Sequence, residues 1–222
     1  MIRVHVICEG QTEETFVNDV MQPAMSAKGI HLYPSLIGRP GHKGGNIAGE
    51  RAVRDVRHRL LGDSTAYCTT FFDYYGIHAE FPGRVNADPG WTAQRKFEHF
   101  RAGFQQKIIA AVGEEAGKRF IPYVQMYEFE GLLFTCPHRF AEGVGEPTAA
   151  ARFQAIRDTF ETPEHINDSA QTAPSKRVSE IVTGYQKPVH GILAALEIGL
   201  GDIRLACAFF DQWLTELEAL DR

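Results

Sequence analysis

Stretches with strand character and stretches with helix character alternate along roughly the first 135 residues of this chain. That alternation restricts the fold more than any other feature: strands separated by helices pair in parallel, and the helices must cover the faces of the sheet. Ile2–Cys8 (IRVHVIC) alternates and is rich in β-branched residues, which predicts a strand. Glu9-Gly10-Gln11 breaks it. Thr12 then caps a helix from Glu13, with Phe16, Val17, Val20 and Met21 facing inward and Pro23 kinking or ending it. Residues 30–37 read as a second strand, placed at a sheet edge by Pro34.

Residues 38–46 (GRPGHKGGN) form a basic, glycine-rich loop. A helix of about 15 residues follows, with Val53, Val56 and Leu60 inward and Arg51, Arg54, Arg57 and Arg59 mostly outward. Residues 66–72 (AYCTTFF) are the clearest buried strand and end at Asp73. The segment 73–91 holds too much glycine and proline for regular structure, and a long loop inside a compact domain commonly carries function. Thr92 caps a helix whose Phe97, Phe100, Phe104 and Ile108 make one apolar stripe, and 121–126 (IPYVQM) reads as a further strand. The remainder is helical: around Phe153, Ile156 and Phe160, from near Ser175, and through Phe209, Trp213, Leu217 and Leu220. The expected architecture is a mostly parallel, Rossmann-like α/β domain over residues 1–135, with a helical region over 136–222 packed on it.

Composition closes several alternatives. The 222 residues are 44% hydrophobic and 23% charged, as in ordinary globular chains. No apolar run approaches the roughly 18 residues of a membrane span, and the opening MIRVHVICEG reads as a strand rather than a leader. The net charge of −5 argues against a basic nucleic-acid coat, while leaving room for a local basic patch. Cys8, Cys68, Cys136 and Cys207 form no CxxC pair, which predicts buried thiols in a reducing cytoplasm. There is no GxxxxGK[ST] phosphate loop and no HExxH zinc motif.

Three acidic groups stand where a predicted strand gives way: Glu9 with Glu13, Asp73, and Glu128 with Glu130. Singly, each has an ordinary role as a first-turn acid, a turn former or a cap. Together they share the carboxyl edge of a parallel sheet, where open α/β folds place their sites. Converging carboxylates repel unless a hard cation neutralises them, which points to Mg²⁺ or Mn²⁺. One or two such ions suit attack on a phosphodiester. Lys43 in the basic loop and Arg54 on the arginine-rich helix are candidates for phosphate contact, and Tyr74 and Tyr75 for stacking on bases.

Four motifs occur in order along most of the chain. They are Glu9-Gly10-Gln11-Thr12-Glu13 after the first strand; Phe72-Asp73-Tyr74-Tyr75-Gly76 with Phe81-Pro82-Gly83; the segment from Tyr123 to Phe134 (YVQMYEFEGLLF); and Pro174-Ser175-Lys176-Arg177. In these the chain resembles the DUF4276 family, a TOPRIM-like group related to the nuclease half of OLD-type endonucleases. The resemblance implies a nuclease cutting DNA or RNA with Mg²⁺ or Mn²⁺, in defence against phage, beside a separately encoded ATPase. It makes Glu9 an acid–base or metal residue, Asp73 a metal ligand, and Glu13, Glu128 and Glu130 further ligands. Lys176 would steady the transition-state phosphate, with Arg177 beside it. The chain departs from the pattern in three places. Asp73-Tyr74-Tyr75 lacks the second aspartate of the TOPRIM DxD, Tyr127 stands where histidine is frequent, and Cys207-Ala208-Phe209-Phe210 lacks a basic residue. The missing aspartate leaves a second reading open, a TOPRIM-derived binding or regulatory module with little catalysis.

Overall fold

The computed structural model describes residues 1–38, 46–167 and 172–220. Four parallel strands lie in the order β2-β1-β3-β4: β1 (Ile2–Cys8), β2 (Ile30–Leu36), β3 (Tyr67–Phe71) and β4 (Phe120–Ile121). β1 is central, paired with β2 along its whole length and with β3 from Val4 to Cys8. The chain moves to one side of β1 to make β2 and to the other to make β3. The order therefore reverses at β1, which makes the carboxyl ends of β1 and β3 the topological switch point of the sheet.

Pro34 sits in the edge strand β2, where a missing N–H costs no ladder bond. Helix α1 (Gln11–Phe16) starts at Gly10, two residues earlier than the sequence suggests. Pro23 does not end the helical run. A π turn over Val17–Met21 absorbs the irregularity, and α2 (Gln22–Ala27) continues with the proline in its first turn, where its nitrogen needs no partner. Helix α3 (Gly49–Gly62) buries Ala52, Val56 and Leu60, with Val53 half-buried. Thr92 caps α4 (Ala93–Val112) by accepting the Arg95 N–H at 3.2 Å, and the stripe Phe97, Phe100, Phe104 and Ile108 is buried.

The fourth strand is shorter than expected: two residues instead of 121–126. Pro122 has no N–H to continue the ladder. Side chains of β3 take over, with the Thr69 hydroxyl donating to Ile121 O at 2.6 Å and the Thr70 hydroxyl to Tyr123 O at 2.8 Å. Backbone pairing returns only at an isolated bridge between Asp73 and Gln125.

The segment 73–91 is a series of turns held onto α4. Phe81 packs against Phe100 and Phe104 at centroid distances of 5.6 and 4.9 Å. Gly83 adopts φ +85° against the backbone of Phe100, a conformation and a clearance that exclude a side chain. The helices after residue 136 share the apolar cluster of the sheet. In the helix Ala208–Glu218, Trp213 stacks on Tyr123 at 4.1 Å and 5°, and its indole N–H donates to Thr69 Oγ1 at 2.8 Å. Cys8, Cys68 and Cys207 are buried free thiols, whereas Cys136 is half-buried. No helix among the described residues is long and apolar enough to cross a membrane.

That last helix begins against a buried acid. Glu164, 1% exposed, accepts the N–H groups of Phe209 at 2.8 Å and Phe210 at 3.0 Å. Burial pushes its carboxyl up to about 8, against the pull of those two donors. Between its ordinary value of 4.5 and about 8 the folded chain holds a proton that the unfolded chain releases. This contribution to stability is complete below the lower value and lost as pH rises through the upper one, by about 1.4 kcal/mol per pH unit in between. Glu164→Gln is expected to flatten that part of the stability–pH curve, measured by urea unfolding at pH 5, 7 and 9. An unchanged slope would remove Glu164 as its cause.

Candidate functional site

Glu9 follows β1 and Asp73 follows β3, so two neighbouring strands deliver them to the switch point. The Asp73 N–H donates to Glu9 Oε2 at 3.0 Å, which ties the two strand ends together through side chain and backbone. Gly76 lies against the Glu9 carboxylate, and a methyl group there would collide with it. Glu13, one turn into α1, returns its Oε2 to the Gly10 N–H at 2.9 Å and caps its own helix. This leaves Oε1 facing inward. Asp73 Oδ1 accepts the Phe129 N–H at 2.8 Å, which docks the segment leading into the short helix Glu130–Leu133. Glu130 is thereby brought beside Asp73, and it is 1% exposed.

A lysine that the sequence motifs do not single out stands among these acids. Lys187 Nζ lies 2.8 Å from Asp73 Oδ2, 3.0 Å from Glu13 Oε1 and 3.5 Å from Glu130 Oε2. Only the Asp73 contact is a hydrogen bond. Glu13 Oε1 and Glu130 Oε2 are buried oxygens that meet the ammonium as charges alone. The lysine stem is 29% exposed and reaches in from the turn Lys187–Gly191, passing over the Phe129 ring at 5.5 Å. The buried Tyr185 hydroxyl, also without a hydrogen-bond partner among the described residues, belongs to the same surroundings.

The electrostatics follow from three carboxylates sharing one ammonium. Burial raises the Asp73 carboxyl well above its ordinary range; Lys187 pulls it back, while Glu13, Glu9 and Glu130 add to the rise. Burial raises Glu130 in the same way, again opposed by Lys187. Burial alone would lower Lys187, but Asp73, Glu130 and Glu13 outweigh it and hold the ammonium charged. Carboxyl groups outnumber the one ammonium here, and among the described residues Glu13 Oε1 and Glu130 Oε2 accept no hydrogen bond. Hard divalent cations favour such a donor set. Among the described residues, no three of His, Cys, Asp and Glu stand in metal-holding geometry as they are, with the ammonium lying between them.

The other predicted site residues lie elsewhere. Glu128 is half-buried and its Oε2 accepts the Ser175 N–H at 2.8 Å at the start of the helix Pro174–Ile181, from where its charge still acts on Glu130. Lys176, on that helix, is exposed and makes no ion pair with Glu13, Asp73 or Glu130, whose ammonium neighbour is Lys187. Arg177 donates to Thr172 O at 2.6 Å and lies over the Phe160 ring at 5.2 Å. Arg54 is exposed on α3, and Lys43 falls outside the described residues. Tyr75 is half-buried and lines a pocket beside the Asp73–Gly76 turn. No spacing rule links Lys187 to Asp73, 114 positions away; its one local signal is its place before Pro188, at the start of a helical segment.

Fold and site together define an α/β protein with a carboxylate–lysine centre at the switch point of a parallel sheet. Residues 8–218 match the family described as a domain of unknown function, DUF4276, and the chain belongs to that family. No curated protein and no solved structure matches it.

Proposed function

We propose that this chain is a Mg²⁺- or Mn²⁺-dependent phosphodiesterase that cuts DNA or RNA. The observation that carries this reading is the convergence of Glu13, Asp73 and Glu130 around one ammonium, with two buried carboxylate oxygens that accept no hydrogen bond among the described residues. Glu13, Asp73 and Glu130 would hold the ion, with Glu9 beside them. A bound divalent ion supplies charge neutralisation and an activated water. Glu9, hydrogen-bonded to the Asp73 backbone, is the group positioned to take a proton at its carboxylate. Lys187, on a partly exposed stem, brings a positive charge to a scissile phosphate and to the charge that develops on it.

The experiment compares wild type with Glu9→Gln on supercoiled plasmid and on RNA with Mn²⁺. Gln keeps an oxygen for the Asp73 N–H, so the fold is retained while cleavage falls by roughly 10²-fold or more. Equal cleavage by the two proteins would take Glu9 out of the mechanism, and no cleavage by wild type would defeat the reading. A second reading, a binding or regulatory module with little catalysis, is favoured by the ammonium already lying among the acids. It predicts no calorimetric heat on titration with Mg²⁺ or Mn²⁺. A cytoplasmic location, a role in phage defence and a separately encoded ATPase partner rest on the motif resemblance, and co-purification tests the partner.

A further inference from the structure

Beside the Asp73–Gly76 turn is a pocket of about 380 Å³, lined by Tyr74 and Tyr75 of that turn and by none of the clustered carboxylates, within the range of small-molecule sites. Three tyrosines line it; Tyr74 and Tyr127 are buried and back the half-buried Tyr75, whose ring is the one that offers a face. Tyr75 and Tyr127 lie 5.3 Å apart, and Tyr74 meets Tyr127 edge-on at 5.9 Å. Two cations stand over these rings: Arg84 is 5.0 Å from the Tyr74 centroid, and Lys96 Nζ is 5.6 Å from that of Tyr127. Lys96 is 9% exposed, and Pro89 O at 2.8 Å is the acceptor its ammonium has among the described residues. Since an ammonium carries three donors, Lys96 retains capacity for a ligand. Asp88 is the acid of the lining, and its Oδ1 already accepts the Gly90 N–H at 2.7 Å. Asn167, hydrogen-bonded to the Tyr75 hydroxyl, closes one end.

Aromatic faces beside excess positive charge recognise a planar base attached to a phosphate. Tyr75 is two residues from Asp73, hence within about 7 Å along the backbone, so one strand could occupy both sites. A base paired in a duplex has both faces stacked and its edge engaged, and it must leave the helix to enter such a pocket. We infer that the tyrosine pocket holds one unpaired nucleobase of a single-stranded DNA or RNA whose phosphate backbone reaches the carboxylate–lysine centre. This inference rests on the phosphodiesterase reading for what happens to the strand, and its own content is binding.

The test is therefore run in EDTA, where cleavage plays no part. Fluorescence anisotropy with labelled dT12, rU12 and a 12-base-pair duplex should show single strands bound at least about tenfold more tightly than duplex. Tyr75→Ala should weaken single-strand binding by roughly 5- to 100-fold, from the loss of one stacking face, while Tyr75→Phe restores it. On wild type alone, photo-crosslinking with a 5-iodouridine oligonucleotide should label Tyr74, Tyr75 or Tyr127. Duplex bound as tightly as single strands, no binding of either, unchanged affinity in Tyr75→Ala, or crosslinks confined to other residues would each overturn the inference. Cleavage without the single-strand preference would leave the phosphodiesterase reading intact and remove only the pocket; binding with the preference but without cleavage would do the reverse.

Discussion

Asp73→Asn is expected to abolish metal-dependent cleavage, with a loss well beyond the 10- to 100-fold seen when a merely supporting partner of a metal ligand is removed. The geometry separates the two duties of this side chain. Oδ1 accepts the Phe129 N–H and so holds the segment carrying Glu130, and an asparagine oxygen performs that task equally well. Oδ2 faces Lys187, where the asparagine presents a donor to a donor and no charge to a cation. Stability should fall by about 1–3 kcal/mol, the cost of an unsatisfied buried polar contact, while the fold persists. Calorimetric titration with Mn²⁺ should show the heat of binding vanish. A variant that binds Mn²⁺ and cuts as well as wild type would show that Asp73 serves only to dock the Phe129–Glu130 segment.

Lys187→Met should have the largest effect on stability. It keeps most of the apolar stem over Phe129 and removes the charge that Asp73, Glu13 and Glu130 share. Leaving buried charges without their partner costs about 3–5 kcal/mol, and that penalty depends on pH in a defined direction. Asp73 and Glu130 are raised by burial even with the lysine present. Without it they bind protons more readily still. Their folded values then lie above their unfolded ones, so the variant is most stable at low pH and loses stability as pH rises through those folded values. Thermal melts from pH 5 to pH 8 should show wild type and variant diverging as pH rises, and Mn²⁺ at pH 8 should raise the melting temperature of the variant more than that of wild type. A variant that melts with wild type at every pH would mean that the acids gain nothing from the ammonium.

The parallel α/β class, the proline edge strand, the Thr92 cap and the phenylalanine stripe of α4 were legible in the residues. Each follows from local periodicity or from backbone chemistry confined to a few positions. So does the placing of Glu9, Glu13 and Asp73 at one edge, because a parallel sheet carries its strand ends to the same side; Glu130 lies nine residues beyond the end of β4 and reaches the cluster only through the Phe129 N–H docked on Asp73. The shortness of β4 was legible only in part. Pro122 was visible, but the threonine hydroxyls of β3 that stand in for its ladder come from more than fifty residues away. Glu128 and Glu130 are neighbours in sequence and look alike there. The tertiary structure parts them, turning one to the helix at Ser175 and burying the other beside Asp73.

Which lysine stands among the acids was decided by tertiary structure alone. Lys176 lies in a recognisable motif and Lys187 does not, yet the packing of the Lys187–Gly191 turn against α1 and Phe129 delivers the latter to the acids. The tyrosine pocket was settled in the same way, by Lys96 of α4 and Asn167 closing around a turn whose two tyrosines alone suggested stacking. Sequence periodicity determines which side of an element faces inward, because that depends on the 3.6- or 2-residue repeat of one short segment. It is silent on which distant side chains meet beyond the sheet edge, because that depends on how several segments pack at once.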